Sequence, residues 1–253
     1  LRQGENLSPI LFSLYLNDLE HFFTESCESS IDLSDDLVVG IFKIVTILYA
    51  DDTVIFAENE NDLQQLANSF QEYCQTWKLN MNVEKTKVMV FGDKPNRMRP
   101  IKVNNITLET VDTFKYLGIL FSKNRNFAKA KKHVADQARK AMFGLLRKIR
   151  NLDIPIDCQL KLFDNTVLPI LLYGCEIWGL GNLSCIEKVH TDFMKHILNV
   201  KRSTPHLMLY GELGRFPISL TIKIRQISFW SKLVSNEESK LSLIMYRLLY
   251  NNH

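Results

Sequence analysis

The stretch from residue 41 to residue 57 constrains the fold of this chain more than any other. Residues 41–50 and 53–57 are both rich in Ile, Val and Thr, side chains that pack well on a pleated surface. Two such runs separated by two residues read as a β-hairpin. The turn residues are then Asp51 and Asp52. Aspartate is a common turn former, so a solvent-facing turn is one reading. The flanks, however, are apolar on both faces, as in a central strand pair buried on two sides.

The neighbouring segments supply helices and further strands. Ser8-Pro9 is a helix start, with Ile10, Leu11, Leu14 and Phe22 following at helical spacing. Residues 24–36 are polar and acidic and read as a loop, with Asp35-Asp36 solvated. Asn61 opens a second helix with Gln64 three residues on, a capping-box pattern. Its buried stripe is Leu63, Leu66, Phe70, Tyr73, Cys74 and Trp77. Residues 88–91 read as a short strand, 101–108 as a hairpin around Asn104-Asn105, and 114–121 as a strand interrupted by Gly118. Beyond residue 122 the pattern changes. Phe127, Ala130, Val134, Ala138, Ala141, Leu145 and Ile149 step by three or four, the mark of a long amphipathic helix. Further helices are expected near 156–168, 183–199 and 217–234. The resulting fold class is α+β, with a mixed part over 1–122 (antiparallel sheet with helices) and an all-helical part over 123–253.

The small net charge of +3 conceals a strong polarity. Residues 1–62 hold thirteen acidic side chains against Arg2 and Lys43, a balance of −11; the remainder holds twenty-nine basic against fifteen acidic, a balance of +14. Such asymmetry suits a cation-binding front and a polyanion-binding back. The long helix carries Lys129, Lys131, Lys132, Arg139, Lys140, Arg147, Lys148 and Arg150, with Asp136 its one acid. A solvated helix usually mixes both signs at i, i+4, and a phosphate-facing surface accounts better for this one.

Other classes are disfavoured. The five cysteines are odd in number and contain no Cys-x-x-Cys pair, which argues against a zinc site or a disulfide framework and fits a reducing compartment. His190 and His196 lack the spacing of a helical metal pair. Cys158, Cys175 and Cys185 read as small buried residues, and Trp77, Trp178 and Trp230 as core. No apolar run is long enough to span a membrane, and no signal peptide is visible. The opening at Leu1, without a methionine, suggests a fragment.

Adjacent carboxylates on a turn are hard oxygen ligands suited to Mg²⁺. Neighbouring side chains on an extended chain point apart, so Asp51 and Asp52 cannot complete a site alone. A two-metal site for phosphoryl transfer needs a further carboxylate, and none is evident in the sequence.

Several blocks, taken in order, resemble the reverse transcriptases of non-LTR (LINE-type) retrotransposons. They are Arg2-Gln3-Gly4-Glu5-Asn6-Leu7-Ser8-Pro9, Tyr49-Ala50-Asp51-Asp52, the lysine-bearing Leu79-Asn80-Met81-Asn82-Val83-Glu84-Lys85-Thr86-Lys87, and Phe114-Lys115-Tyr116-Leu117-Gly118. The likeness continues through Leu168-Pro169-Ile170-Leu171-Leu172-Tyr173-Gly174 with Trp178-Gly179, then Ser203-Thr204-Pro205 and Tyr210-Gly211-Glu212-Leu213-Gly214-Arg215.

The resemblance implies a partial palm with catalytic hairpin, lysine block and primer grip over 1–122, and a helical thumb or connector after it. It implies an RNA-directed DNA polymerase working with two Mg²⁺ ions, or Mn²⁺ in their place. Asp51 becomes the main metal ligand and Asp52 a less direct one. Arg2, Gln3, Gly4 and Tyr49 face nucleotide and template, and Lys85 or Lys87 stands near the leaving pyrophosphate. Tyr116, Leu117 and Gly118 grip the primer. Lys129, Lys132, Arg139, Lys140, Arg147 and Lys148 follow the nucleic-acid backbone. The implied partners are an RNA template, a DNA primer and deoxynucleotides, with no membrane. The implied setting is a cytoplasmic ribonucleoprotein and the nucleus. The family's first carboxylate block has no counterpart here, so these residues are expected to be inactive as a polymerase by themselves. The competing reading is a non-catalytic, nucleic-acid-binding remnant or a domesticated protein of the same kind.

Overall fold

The computed structural model describes residues 7, 11, 14–16, 18–19, 22, 31–32, 43–44, 46–49, 52–92, 99–235, 242–244 and 246–247. They form a mixed α+β chain that divides into two compact units between Asp112 and Thr113, with Arg247 closing the second.

The first unit begins with helical residues at Leu11, Leu14, Tyr15, Leu19 and Phe22. Strand β1 (Ile31–Asp32) pairs with β2 (Lys43–Ile44), so the acidic stretch read as a loop contains a short strand. Strands β3 (Thr46–Tyr49) and β4 (Asp52–Ile55) form the expected antiparallel hairpin, with Tyr49 opposite Asp52. Helix α1 (Glu60–Thr76) follows. Its cap is Asn59 rather than Asn61: the Asn59 side chain accepts the Asp62 amide at 3.0 Å and donates to the Asp62 carboxylate at 2.7 Å. The two side chains close the helix entrance reciprocally.

Gln64, expected in the cap, instead extends a sheet edge. Its Oε1 accepts the Lys102 amide at 2.8 Å and its Nε2 donates to the Lys102 carbonyl at 2.7 Å. Two turns on, Gln71 accepts the Asn104 amide at 2.9 Å. These hydrogen bonds fasten α1 to a short hairpin. The strand β5 (Lys87–Val88) comes first in the chain, and the hairpin is formed by β6 (Lys102–Val103) and β7 (Ile106–Thr107). After it, β8 (Glu109–Thr110) pairs in parallel with β5. Asn104 and Asn105 both have positive φ, 49° and 61°, as a tight two-residue hairpin requires and asparagine tolerates. Ala67, Val88, Ile101, Val103 and Leu108 form one buried cluster, while Leu16, Leu19, Leu66 and Tyr73 form another.

The second unit opens with a hairpin of β9 (Thr113–Tyr116) and β10 (Ile119–Ser122). Residues 114–121 are therefore two strands, not one interrupted strand. Leu117 and Gly118 both take positive φ, 46° and 81°, and reverse the chain. The helices that follow among the described residues are α2 (Ala128–Ile149), α3 (Ile156–Thr166), α4 (Leu168–Leu171), α5 (Cys175–Trp178), α6 (Ser184–Ile197), α7 (His206–Leu213) and α8 (Ile218–Val234). Pro155, Pro205 and Pro217 stand immediately before α3, α7 and α8, where a fixed φ suits entry and no amide is needed. The apolar stripe of α2 lies in one core with Phe163, Leu171, Trp178, Ile186, Phe193 and Ile222.

Trp178 is buried as expected, but Trp77 and Trp230 are 37% and 51% exposed. Trp77 lies just past the end of α1, where its ring meets Tyr15 edge-on. Trp230 is near the end of α8 and donates its indole N–H to the Tyr246 hydroxyl at 3.0 Å. Cys158, expected to be buried, is exposed, while Cys175 is buried. His190 is buried and stacked on Phe163.

Two polar groups fix the end of the unit. Arg215 grips Asp164 of α3 with both guanidinium arms, one at 2.8 Å. Glu187 of α6 accepts the Tyr210 hydroxyl at 2.5 Å and the Ile218 and Ser219 amides at 3.2 and 3.1 Å. It thereby caps α8 from another helix, where a carboxylate meets free amides and a favourable dipole. Burial alone raises its pKa. The nearby His190, the Tyr210 hydroxyl and the two amides outweigh that and hold it down at about 2. A carboxyl whose pKa is lower folded than unfolded stabilises the fold above its unfolded value, and the gain is lost as pH falls through the folded value. Glu187→Gln should therefore cost about 2 kcal/mol at neutral pH, the loss of charge-assisted hydrogen bonds. In urea unfolding the gap to wild type should hold above pH 4.5, narrow below it, and close near pH 2.

Candidate active site

The acidic hairpin owes its shape to the β3–β4 ladder. Asp52 is exposed and is the first residue of β4, paired with Tyr49, rather than a turn residue. Asp51 lies outside the described residues, as do Arg2, Gln3 and Gly4. Tyr49 is described as backbone in β3 only. Asp52 suits Mg²⁺ in kind, being an accessible oxygen donor at the mouth of a hairpin. It does not suffice in number. Among the described residues no three His, Cys, Asp or Glu side chains gather to hold a metal.

The lysine block is organised by Asn82. Its side chain accepts the Lys85 amide at 3.1 Å, and its carbonyl accepts the Thr86 amide and hydroxyl. The chain so turned enters β5, which separates two lysines that the sequence leaves equivalent. Lys87 pairs with Glu109 across the β5–β8 ladder at 2.8 Å. The Lys85 side chain is exposed and makes no ion pair with a described residue. Lys87 thus arrives with its charge balanced, and among the described residues Lys85 does not.

The segment Tyr116-Leu117-Gly118 forms the end of the β9–β10 hairpin in the second unit. Leu117 holds a left-handed backbone that ordinary residues adopt at a cost of about 1–2 kcal/mol. The neighbouring helices compensate. The Tyr173 hydroxyl donates to the Leu117 carbonyl at 2.8 Å. A Cβ at Gly118 would sit 2.7 Å from Cε1 of Tyr173, so only glycine admits the ring. In the sequence, Tyr173, Gly174 and Trp178 carry no role beyond marking a family block. The signal that could have found their use is Gly118 itself, a glycine that ends a tight turn.

On α2 and its C-cap Arg150, the exposed cations Lys129, Lys132, Lys140, Arg147, Lys148 and Arg150 lie away from the buried stripe. Arg139 is half-buried and pairs with Asp136 at 2.8 Å. Lys131 departs from the expected basic surface. It is 8% exposed, and its ammonium donates to the carbonyls of Leu180 and Asn182, the latter at 3.2 Å. It falls on the same helix face as Val134, Ala135 and Ala138, which explains its burial.

Comparison with known proteins connects these features. Residues 1–121 match the reverse transcriptase (RNA-dependent DNA polymerase) family. Over those residues, just under half of the chain, it is similar to the reverse transcriptases. The RNA-directed DNA polymerase from mobile element jockey of Drosophila melanogaster is 23% identical over 195 residues, covering 74% of this chain and 20% of its own length. The probable RNA-directed DNA polymerase from transposon X-element of the same fly is 26% identical over 198 residues, with the same coverage. A retrovirus-related Pol polyprotein from type-1 retrotransposable element R2 of Popillia japonica is 24% identical over 240 residues, covering 90% of this chain and 31% of its own. These relatives agree with the ordered motifs in likening the chain to the reverse transcriptases of non-LTR retrotransposons. The chain spans about a fifth of the length of the first two relatives.

The two kinds of lysine on α2 are separable by stability. Lys131→Met should destabilise the fold by about 1.5–3 kcal/mol, because it strands two carbonyls that a charged donor satisfies. Lys132→Ala should stay within about 0.5 kcal/mol of wild type, as exposed substitutions do. Urea unfolding of the two variants measures both.

Proposed function

We propose that this chain is the palm remainder (1–122) and thumb (123–253) of an RNA-directed DNA polymerase. In this reading a DNA primer is extended on an RNA template from deoxynucleotides. The observation that carries the proposal is the carboxylate hairpin, with Asp52 exposed where β3 and β4 meet, inside a segment that matches reverse transcriptases.

The reaction is an in-line displacement. The primer 3′ oxygen forms a bond to the α-phosphorus of the nucleotide, and the bond to pyrophosphate breaks. Two divalent ions, Mg²⁺ or Mn²⁺, when bound, supply Lewis-acid activation of the hydroxyl and neutralise the leaving group. Asp51 and Asp52 would hold them, together with a carboxylate that these residues do not provide. Tyr49, Arg2, Gln3 and Gly4 line the nascent base pair. Lys85, rather than the Glu109-paired Lys87, offers its charge to the departing pyrophosphate. Tyr116, Leu117 and Gly118 hold the primer backbone. Lys129, Lys132, Lys140, Arg147 and Lys148 track phosphates of the A-form heteroduplex by shape and charge, with Arg139 lending what its pairing with Asp136 leaves. Among the described residues no helix is long and apolar enough to cross a membrane. A cytoplasmic ribonucleoprotein that reaches the nucleus is the setting we propose.

In the complete polymerase, Asp51→Asn should lower primer extension on an RNA template by roughly 100-fold or more, since metal-held charge is worth several kcal/mol. Unchanged extension removes the proposal. Residues 1–253 alone should bind template–primer duplex without extending it. Their affinity should fall steeply with salt. Replacing Lys140 and Lys148 by alanine should make the salt dependence shallower, by a slope of about 0.9 for each phosphate no longer neutralised. A titration of affinity against salt reads this directly.

A further inference from the structure

We infer that Tyr173 is a positioning residue for the primer grip, setting the Leu117-Gly118 turn from the helical side. The inference rests on the primer-grip reading above and adds a residue to it. Tyr173 is half exposed, yet its hydroxyl is engaged by a backbone carbonyl at the tip of the turn, that of Leu117, at 2.8 Å. Its ring occupies the space that a side chain at position 118 would need.

Tyr173 is itself held at its other end. The indole N–H of Trp178, which is 1% exposed, donates to the Tyr173 carbonyl at 2.8 Å. The next residue, Gly174, has φ 64°, and a Cβ there would lie 2.8 Å from Ile119 of β10. A rigid path thus runs from the helical core through Trp178 and Tyr173 to the turn. The same ring walls a groove of about 350 Å³ whose polar edge is Lys115, His133 and Gln137. Cationic and amide donors on that edge match the phosphodiester strand that the turn is assigned to hold.

A phenylalanine at position 173 would keep the packing and lose only the hydrogen bond. The test therefore uses the complete polymerase carrying Tyr173→Phe, on a DNA primer annealed to an RNA template, with a trap that limits each enzyme to one binding event. Product length per event should shorten by about threefold, the scale of one lost hydrogen bond. Nucleotide KM should stay at its wild-type value, and the melting temperature should fall by no more than about 2–4 °C, the stability share of the same bond. Tyr173→Leu, which also removes the ring from beneath Gly118, should shorten products further. A purely structural role would lower the melting temperature and the active fraction while leaving product length per event unchanged, and that result overturns the inference. Wild-type product lengths in both variants overturn it equally while leaving the polymerase reading intact. A wild-type enzyme that extends no primer overturns both.

Discussion

The second unit is organised by the small residues on one face of α2. Ala130, Ala135 and Ala138 are each at most 1% exposed. An alanine stripe lets neighbouring backbones come close, so α2 can pack against the surrounding helices in a single core. Met142 and Leu146 fill the wider part of the same face. Once that face is committed, the remaining positions of the helix must meet water. They are occupied largely by lysine and arginine. The core therefore determines which way the cations face. It also explains why Lys131, on the committed side, cannot join them and serves two carbonyls instead.

The later sequence blocks have a structural meaning that composition does not disclose. Tyr210 and Arg215 bracket one of them, and each places its polar end on a carboxylate of another helix, Glu187 or Asp164. Gly214, with φ 58°, lets the chain turn between α7 and the approach to α8. Glu187 then occupies the amides at the start of α8, a helix that enters through Pro217 and has no side-chain cap of its own. A buried carboxylate of this kind is costly unless its hydrogen bonds are supplied. Here they come from two other elements, which restricts how the helices can dock. The Tyr173 block works by the same logic, with the turn of β9–β10 as the element held.

Legibility in the sequence follows locality. The β3–β4 pairing, the Asn104-Asn105 hairpin and the long amphipathic helix rest on periodicity and turn chemistry within a few residues, and all three are readable. The cap of α1 stands two residues from the expected one because Asn59 and Asn61 are equally good caps by type. Gln64, the expected partner of a cap at Asn61, is instead engaged at the edge of β6. The strand break at Leu117-Gly118 is hidden because leucine rarely takes a positive φ, and its reason to do so is a hydroxyl fifty-six residues away. Trp230 reads as core because its helix is apolar on several sides. Burial, however, is a property of what packs against a helix, and the pattern along the helix does not state that.

The site residues divide along the same line. Lys85 and Lys87 are indistinguishable by spacing. They differ only because β5 pairs with β8 in parallel and brings Glu109 opposite Lys87. An exposed pair of this kind adds little stability, but it does change what the lysine can offer a polyanionic leaving group. A cation already shared with a carboxylate attracts a phosphate less than one facing water alone. Asp52 shows the converse. Its ladder position opposite Tyr49 moves it from the turn into the strand, so its direction is set by the sheet. That fixed direction is a physical basis for the less direct role we propose for Asp52 in holding metal ions.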